Sequence, residues 1–158
     1  MKELRELLGE AGYGEVRTYV QSGNIVLESD QSAEEIGRQV ERLIAERFDL
    51  DIPVVVRTQN ELAQVVKRNP LAKVATDPKR YQVSFLDTEL DAEKLEELKA
   101  VATESEQLVA RGRELYAWHP DGVARSKLWA KLAGSGLGVT ATARNWKTVQ
   151  TLLDMARE

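Results

Sequence analysis

The sequence predicts an α+β fold built in two parts, and three observations predict it. Helical periodicity and strand alternation succeed each other along the chain, and short polar turns join neighbouring strand segments. A stretch of mixed charge at 71–80 separates two halves, which we interpret as a linker between domains at 1–70 and 81–158. The predicted order is α-β-β-α-β-α and then β-α-β-β-α-α. Helices that alternate with hairpins indicate α+β rather than a doubly wound parallel sheet.

The first half begins with an amphipathic helix and a hairpin. The apolar residues of the helix repeat at i, i+3, i+4 and i+7, and they are Leu4, Leu7, Leu8 and Ala11. Gly12 is placed to end this helix. A strand is predicted at 16–21, a turn at 22–24 and a return strand at 25–27.

Two capping boxes mark the remaining helices of the first half. Ser32 with Glu35 opens one helix, and Thr58 with Glu61 opens a shorter one. Between them, the apolar run 52–56 predicts a strand, in which Pro53 suits an edge or a strand start.

The second half repeats the mixture of strands and helices. Its last helix starts near Asn145 and ends with the chain. The other elements, in order, are a strand at 81–86, a helix at 91–102, a hairpin at 107–110 and 114–119, and a helix at 126–133.

Composition excludes several kinds of site. The chain has no cysteine and one histidine, so disulfides, thiolate metal sites and a His-rich metal site within one chain are excluded, and we predict no metal site. Absence of cysteine in an acidic chain without a signal peptide is typical of the cytoplasm. No apolar run approaches the ~20 residues that span a bilayer, so we predict no membrane association. The net charge of −4 disfavours nucleic acid as a partner.

A first group of polar residues lies at the predicted hairpin. The group comprises Arg17, Tyr19, Gln21, Ser22 and Asn24. One interpretation is a binding wall for a small anionic ligand, in which Arg17 supplies charge and the turn amides donate hydrogen bonds. The alternative is a solvated strand face and a turn that needs Gly23 and Asn24 for its backbone.

A second group lies where the last helix begins, and it comprises Arg144, Asn145 and Trp146. A helix start offers free amides to an anion. The alternative makes Asn145 a cap and Trp146 a core anchor. His119 is the one imidazole available as a base, but the Pro120-Asp121-Gly122 sequence after it favours a residue on a turn. The sequence names no catalytic residue and no cofactor.

Three segments together carry a family resemblance. They are Val16-Arg17-Thr18-Tyr19-Val20-Gln21-Ser22-Gly23-Asn24, Leu115-Tyr116-Ala117-Trp118-His119-Pro120-Asp121-Gly122 with Ser126-Lys127, and Thr140-Ala141-Thr142-Ala143-Arg144-Asn145-Trp146-Lys147-Thr148-Val149. In content, order and spacing they resemble the bacterial family known as domain of unknown function 1697. The resemblance covers essentially the whole chain. It implies a two-part α+β fold with a ferredoxin-like first half, and no established activity, cofactor or catalytic residue.

The start of the chain departs from the family pattern. Members of the family usually begin with an apolar strand and a glycine-rich stretch before the first helix, whereas this chain begins at the helix. In a ferredoxin-like half that first strand lies inside the sheet, so its absence would leave backbone groups unpaired. We therefore expect either coding sequence upstream of Met1 or a strand supplied from elsewhere, including from a second copy in a strand-sharing homodimer.

Three functions follow from these observations. The first is binding of a small anionic or nucleotide-like ligand, with or without catalysis, through Arg17, Tyr19, Arg144 and Trp146. The second is a protein-interaction module without chemistry that pairs through an exposed sheet edge. RNA binding ranks third, because Tyr81 and Phe85 do not fit an aromatic and basic strand motif.

Overall fold

The computed structural model describes residues 2–19, 23–133 and 137–157. These residues form six helices and six strands in an α+β arrangement, as predicted. The chain divides into two compact units, Met1–Glu61 with Thr151–Glu158 and Leu62–Gln150. The predicted domains 1–70 and 81–158 with their linker, and the ferredoxin-like arrangement, stay predictions. None of the helices in the described ranges combines the length and the apolar character that crossing a membrane requires.

The first unit is built on a hairpin and two helices. In chain order it contains α1 (Lys2–Glu10), β1 (Gly14–Tyr19), β2 (Asn24–Glu28) and α2 (Ala33–Phe48), followed by the start of α3 (Gln59–Lys67). β1 and β2 form a two-stranded antiparallel sheet. One sheet face packs with α1 and α2 around a buried cluster of Leu8, Tyr13, Val40 and Ile44.

Local sequence signals set the ends of these elements. Gly12 adopts a φ of 100° just after α1, a backbone conformation that glycine takes without a Cβ penalty. The Ser32 hydroxyl accepts the Glu35 amide at the start of α2. The Thr58 and Glu61 side chains accept each other's backbone amides before α3. The capping box of Thr58 and Glu61 is therefore confirmed in both directions, and Ser32 is confirmed as the N-cap of α2.

The strand predicted at 52–56 is wrong. The segment lies between α2 and α3, and no strand is assigned to it. A β-branched composition favours extended backbone, but a strand also needs a neighbour with which to form ladder hydrogen bonds. Among the described residues no other segment makes backbone hydrogen bonds with it.

The second unit is organised around a four-stranded antiparallel sheet. Its strands are ordered β4-β5-β3-β6, with every neighbouring pair antiparallel. Between the strands lie two helices, and the last helix follows β6. In chain order the elements are β3 (Tyr81–Leu86), α4 (Ala92–Val101), β4 (Gln107–Arg111), β5 (Glu114–Trp118), α5 (Lys127–Ala133), β6 (Ala141–Asn145) and the start of α6 (Trp146–Arg157). The residues of α6 from Thr151 on belong to the first unit.

Both faces of this sheet are covered near its centre. On one face, α4 and α5 contribute to a buried cluster of Leu86, Leu98, Leu108, Leu115, Ala117, Leu128, Leu132 and Leu137. On the other face, the Tyr116 hydroxyl donates to the Val65 carbonyl of α3 at 2.7 Å, and the Tyr81 hydroxyl donates to Asn69 Oδ1. Burial raises the pKa of Tyr116 to about 12. All six residues of the central strand β3 are buried as a result.

Strand β6 is the element that the sequence analysis missed. It pairs with β3 from Gln82 opposite Asn145 to Leu86 opposite Ala141. Its sequence is Ala-Thr-Ala-Arg-Asn, and alanine is depleted in strands. The local sequence signal for a strand is therefore weak. The strand exists because β3 supplies a neighbour that is distant in sequence.

Candidate functional site

The hairpin group lies in the first unit and is held by internal hydrogen bonds. Tyr19 pairs with Asn24 in the β1–β2 ladder, and Asn24 Nδ2 donates to the Tyr19 carbonyl at 3.0 Å. Asn24 is buried at 5% exposure, which places its amide inside the hairpin end. Gln21 and Ser22, also predicted to bind ligand, lie outside the described residues.

Arg17 serves the last helix of the chain. It lies on β1 opposite Val26, and its guanidinium Nη2 donates to the Met155 carbonyl near the end of α6. The last carbonyls of a helix lack partners within the helix and carry the negative end of its dipole. A cation at this place satisfies one of them, so Arg17 stabilises the helix end within the first unit.

The second group lies in the second unit, on β6 and at the start of α6. Asn145 Oδ1 accepts the Thr148 amide at 2.9 Å, which makes it the cap of α6. Trp146 is buried at 8% exposure, and its ring centre lies 5.0 Å from that of Tyr81. Both side chains therefore have the structural roles that the sequence analysis gave as alternatives.

Arg144 lies on the sheet face opposite α4 and α5. Its Nη1 donates to Thr142 Oγ1 at 2.6 Å and to the Ala143 carbonyl at 2.8 Å. The side chain is half-buried, and burial lowers its pKa. A guanidinium and a hydroxyl are thereby held together at the edge strand of the sheet. Arg17 belongs to the first unit and Arg144 to the second, so their convergence on one ligand stays a prediction.

A buried polar cluster in the second unit was not predicted. It consists of Glu106 before β4, His119 after β5 and Ser126 before α5. Glu106 Oε2 lies 2.6 Å from His119 Nδ1 and accepts the Ser126 hydroxyl at 2.5 Å. Glu106 Oε1 accepts the Thr103 amide, and Ser126 Oγ accepts the Trp129 amide. The cluster therefore joins three loops at one end of the sheet.

Charge and burial define what this cluster can do. Burial alone raises the pKa of Glu106, but hydrogen bonds from Ser126, His119 and Thr103 outweigh it and hold the pKa below its usual value. His119 begins the predicted turn, because its carbonyl accepts the Gly122 amide, but its side chain is fully buried. Its Nε2 meets no hydrogen-bond partner in the described ranges. Ser126 lies on the Nδ1 side of the ring, whereas a serine nucleophile needs the base at Nε2. The cluster is thus a structural junction.

A pattern in the sequence points to this junction. His119 continues the alternation of Leu115 and Ala117, which both face the buried cluster beneath the sheet. Glu106 follows Thr103 at the spacing of a capping box, and each accepts the other's backbone amide. Their meeting with Ser126 depends on the fold and could not be read from local sequence.

The segment between α2 and α3 combines backbone that belongs to no helix or strand with exposed apolar side chains. We define Leu50–Arg57 as the open segment. Leu50 is 51% exposed and Ile52 is 44% exposed, whereas Val54 packs on the core of the first unit. The Val54 amide donates to Glu41 Oε1 at 2.8 Å. A Cβ on Gly37 would meet the Val54 carbonyl oxygen at 3.8 Å, so the Val54 peptide groups face α2.

Comparisons with known proteins place the chain in a family. The model of a family described as "Protein of unknown function (DUF1697)" matches residues 1–116. A solved structure of the conserved bacterial protein SP0830 from Streptococcus pneumoniae is similar, with a TM-score of 0.77 and 20% identity over 99% of this chain and 88% of that chain. At that identity the likeness shows the fold alone. The search of curated proteins found no match. The chain belongs to the DUF1697 family of proteins of unknown function.

Proposed function

We propose that the protein is an interaction module that accepts an extended polypeptide strand along the open segment. The observation that carries this proposal is the backbone at 52–56, which joins no sheet within the described residues although Val54 packs on the core of the first unit. An incoming strand would supply the ladder that the segment lacks.

The energetics of the backbone support this function. Val54, Val55 and Val56 are half-buried, and of their amides that of Val54 donates to Glu41 Oε1. A buried peptide group without a partner costs about 1–3 kcal/mol, and a ladder hydrogen bond removes that cost. The neighbouring side chains of Leu50 and Ile52 offer apolar surface that an incoming strand would cover.

The contacts of the residues that were predicted to bind a ligand favour strand addition over ligand binding. Arg17, Asn24, Asn145 and Trp146 each have a partner that gives them a role in holding the fold. A side chain with a structural bond must give up that bond before it serves a ligand in the same direction. The open segment needs no such exchange at Val55.

The experiment uses a synthetic peptide of alternating valine and threonine and follows the Val55 amide by NMR. We expect the peptide to shift the Val55 resonance and to slow exchange of its amide. Val55→Pro removes the donor and should abolish binding, and Val55→Thr keeps the donor and the β-branched shape and should bind. Circular dichroism checks that both variants fold. Equal binding to the proline and threonine variants would contradict strand addition.

A site for a small anion at Arg144 is the second candidate. The contact between Arg144 and the Thr142 hydroxyl favours it, because a guanidinium beside a hydroxyl donor can bind a phosphate or sulfate oxygen. Sulfate titration followed by NMR of the arginine side chains tests this candidate. We expect saturable shifts at Arg144 that Arg144→Gln removes and that the exposed control Lys79→Gln retains. Shifts that grow linearly without saturation would rule the site out.

A further inference from the structure

We propose that Arg111 and Arg144 block the two edges of the second unit's sheet, so that another copy of this chain cannot add a strand there. Among the described residues, β4 and β6 are the outer strands of that sheet. Strand addition at the open segment of the first unit is a separate event that does not depend on these edges. The backbone groups that point outward from β4 and β6, and the contacts of the two arginines with them, carry the proposal.

Strand β4 turns the backbone groups of Leu108 and Ala110 outward. The Leu86 amide donates to the Arg113 carbonyl, so the odd-numbered residues in and beside β5 bond to β3 and the even-numbered ones face β4. Arg111 lies opposite an even-numbered residue of β5. Arg111 and every second residue of β4 therefore bond to β5, whereas the N–H and C=O of Leu108 and Ala110 point away from the sheet.

The outward carbonyl of Ala110 is occupied by the side chain of Arg111. The Arg111 Nη1 donates to that carbonyl at 3.0 Å, and the side chain is exposed. An incoming strand would need the same carbonyl as an acceptor, so it would have to displace a guanidinium and remove water from its charge. The contact therefore protects the outer edge of β4.

The opposite edge of the sheet has the same arrangement. The Asp87 amide donates to the Thr140 carbonyl, so the even-numbered residues of β6 bond to β3 and Ala143 points outward. Arg144 Nη1 donates to the Ala143 carbonyl at 2.8 Å and to Thr142 Oγ1 at 2.6 Å. On each outer strand, an arginine thus bonds the outward carbonyl of the residue before it.

The composition of β4 explains why its edge needs a charge. The residues before Arg111 in this strand are Gln-Leu-Val-Ala, a run without charge and without proline. Runs of this kind on an edge strand pair readily with the same run of another copy. A flanking cation opposes that pairing, because every copy brings the same charge to the edge. A second copy of this chain is therefore the partner that Arg111 excludes.

Self-association of matched arginine variants of the full chain tests the block. Arg111→Thr removes the guanidinium and leaves a residue that suits a strand. Compared with wild type, this variant should form oligomers in sedimentation velocity at a concentration lower by about tenfold or more, since a charge-assisted hydrogen bond is worth at least that factor. Arg125→Thr removes the same charge from an exposed position of the same unit and should behave as wild type. Arg111→Lys keeps a cation and a donor at the edge and should also behave as wild type.

Amide exchange distinguishes strand pairing from association through unfolding, and circular dichroism checks that each variant is folded. In oligomers of Arg111→Thr, the outward amide of Leu108 should become protected from exchange. Arg144→Thr is the corresponding change at β6, and in its oligomers the Ala143 amide should become protected. Oligomers in which these amides stay unprotected, or equal association of Arg111→Thr and Arg125→Thr, would overturn the proposal. A folded Arg111→Thr or Arg144→Thr variant that associates no more than wild type would overturn it as well.

Discussion

The two units of the molecule satisfy their backbone in different ways. In the second unit, β3 is bonded on both sides and its six residues are all buried. In the first unit, β1 and β2 have only each other as ladder partners among the described residues, and residues 52–56 join neither strand there. Backbone groups that are bonded within a sheet are not available to a partner, whereas backbone outside any sheet can accept an incoming strand. We therefore expect association with a partner at the first unit.

Amide exchange should show the largest contrast between the units. Val83 is buried in β3 and pairs with Tyr116 on one side and Arg144 on the other. Among the described residues nothing forms a ladder with the Val55 amide, so we expect it to exchange at least about a thousandfold faster than that of Val83. The measurement is hydrogen–deuterium exchange of the protein by NMR. Similar amide protection at Val55 and Val83 would contradict the expected difference between the two units.

Removing the acceptor at the junction of Glu106, His119 and Ser126 should give the next largest effect, a loss of stability. Glu106→Ala should lower the free energy of unfolding by about 3 kcal/mol or more, because the donors from Thr103, His119 and Ser126 lose their shared acceptor in a buried place. Urea unfolding measures this change. Glu104→Ala, at an exposed neighbour, is the control and should stay within about 0.5 kcal/mol of wild type. Equal losses in the two variants would show that the junction contributes nothing.

Titration of the Glu106 carboxylate should make the stability of the protein depend on pH. The pKa of Glu106 is lowered in the folded protein, so its stabilising contribution is complete above the usual value of 4.5. That contribution is lost as the pH falls through the lowered pKa. The stability difference between wild type and Glu106→Gln should therefore shrink between about pH 5 and pH 3. Urea unfolding at several pH values tests this, and a difference that stays constant would contradict it.

Local signals in the sequence predicted most elements of both units. The capping boxes at Ser32 and Thr58 act within one helical turn, so residue spacing is enough to find them. Residues 52–56 were predicted as a strand because Val54, Val55 and Val56 favour extended backbone. Strand formation needs a partner as well as a propensity, and a propensity carries no information about the partner.

The candidate sites could be predicted only in part for the same reason. Asn145 and Trp146 were correctly placed at the start of a helix, but their contacts with Thr148 and Tyr81 decide that they serve the fold. The junction of Glu106, His119 and Ser126 joins residues from three loops, and only the sheet brings them together. Arg17 reaches Met155 near the other end of the chain, a contact without any local signal.

The smallest expected effect concerns the bulge at the start of the first unit's sheet. Glu15 has a φ of 48° where the β1–β2 register shifts between Gly14 and Arg17. A side chain other than glycine in this left-handed region costs about 1 kcal/mol, and glycine removes that cost while losing more chain entropy on folding. Glu15→Gly should therefore stabilise the protein by about 0.5 kcal/mol in urea unfolding. Glu15→Ala keeps the Cβ and should give no gain. If alanine stabilises as much as glycine, the benefit comes from removing the carboxylate of Glu15, and the backbone of the bulge is not strained.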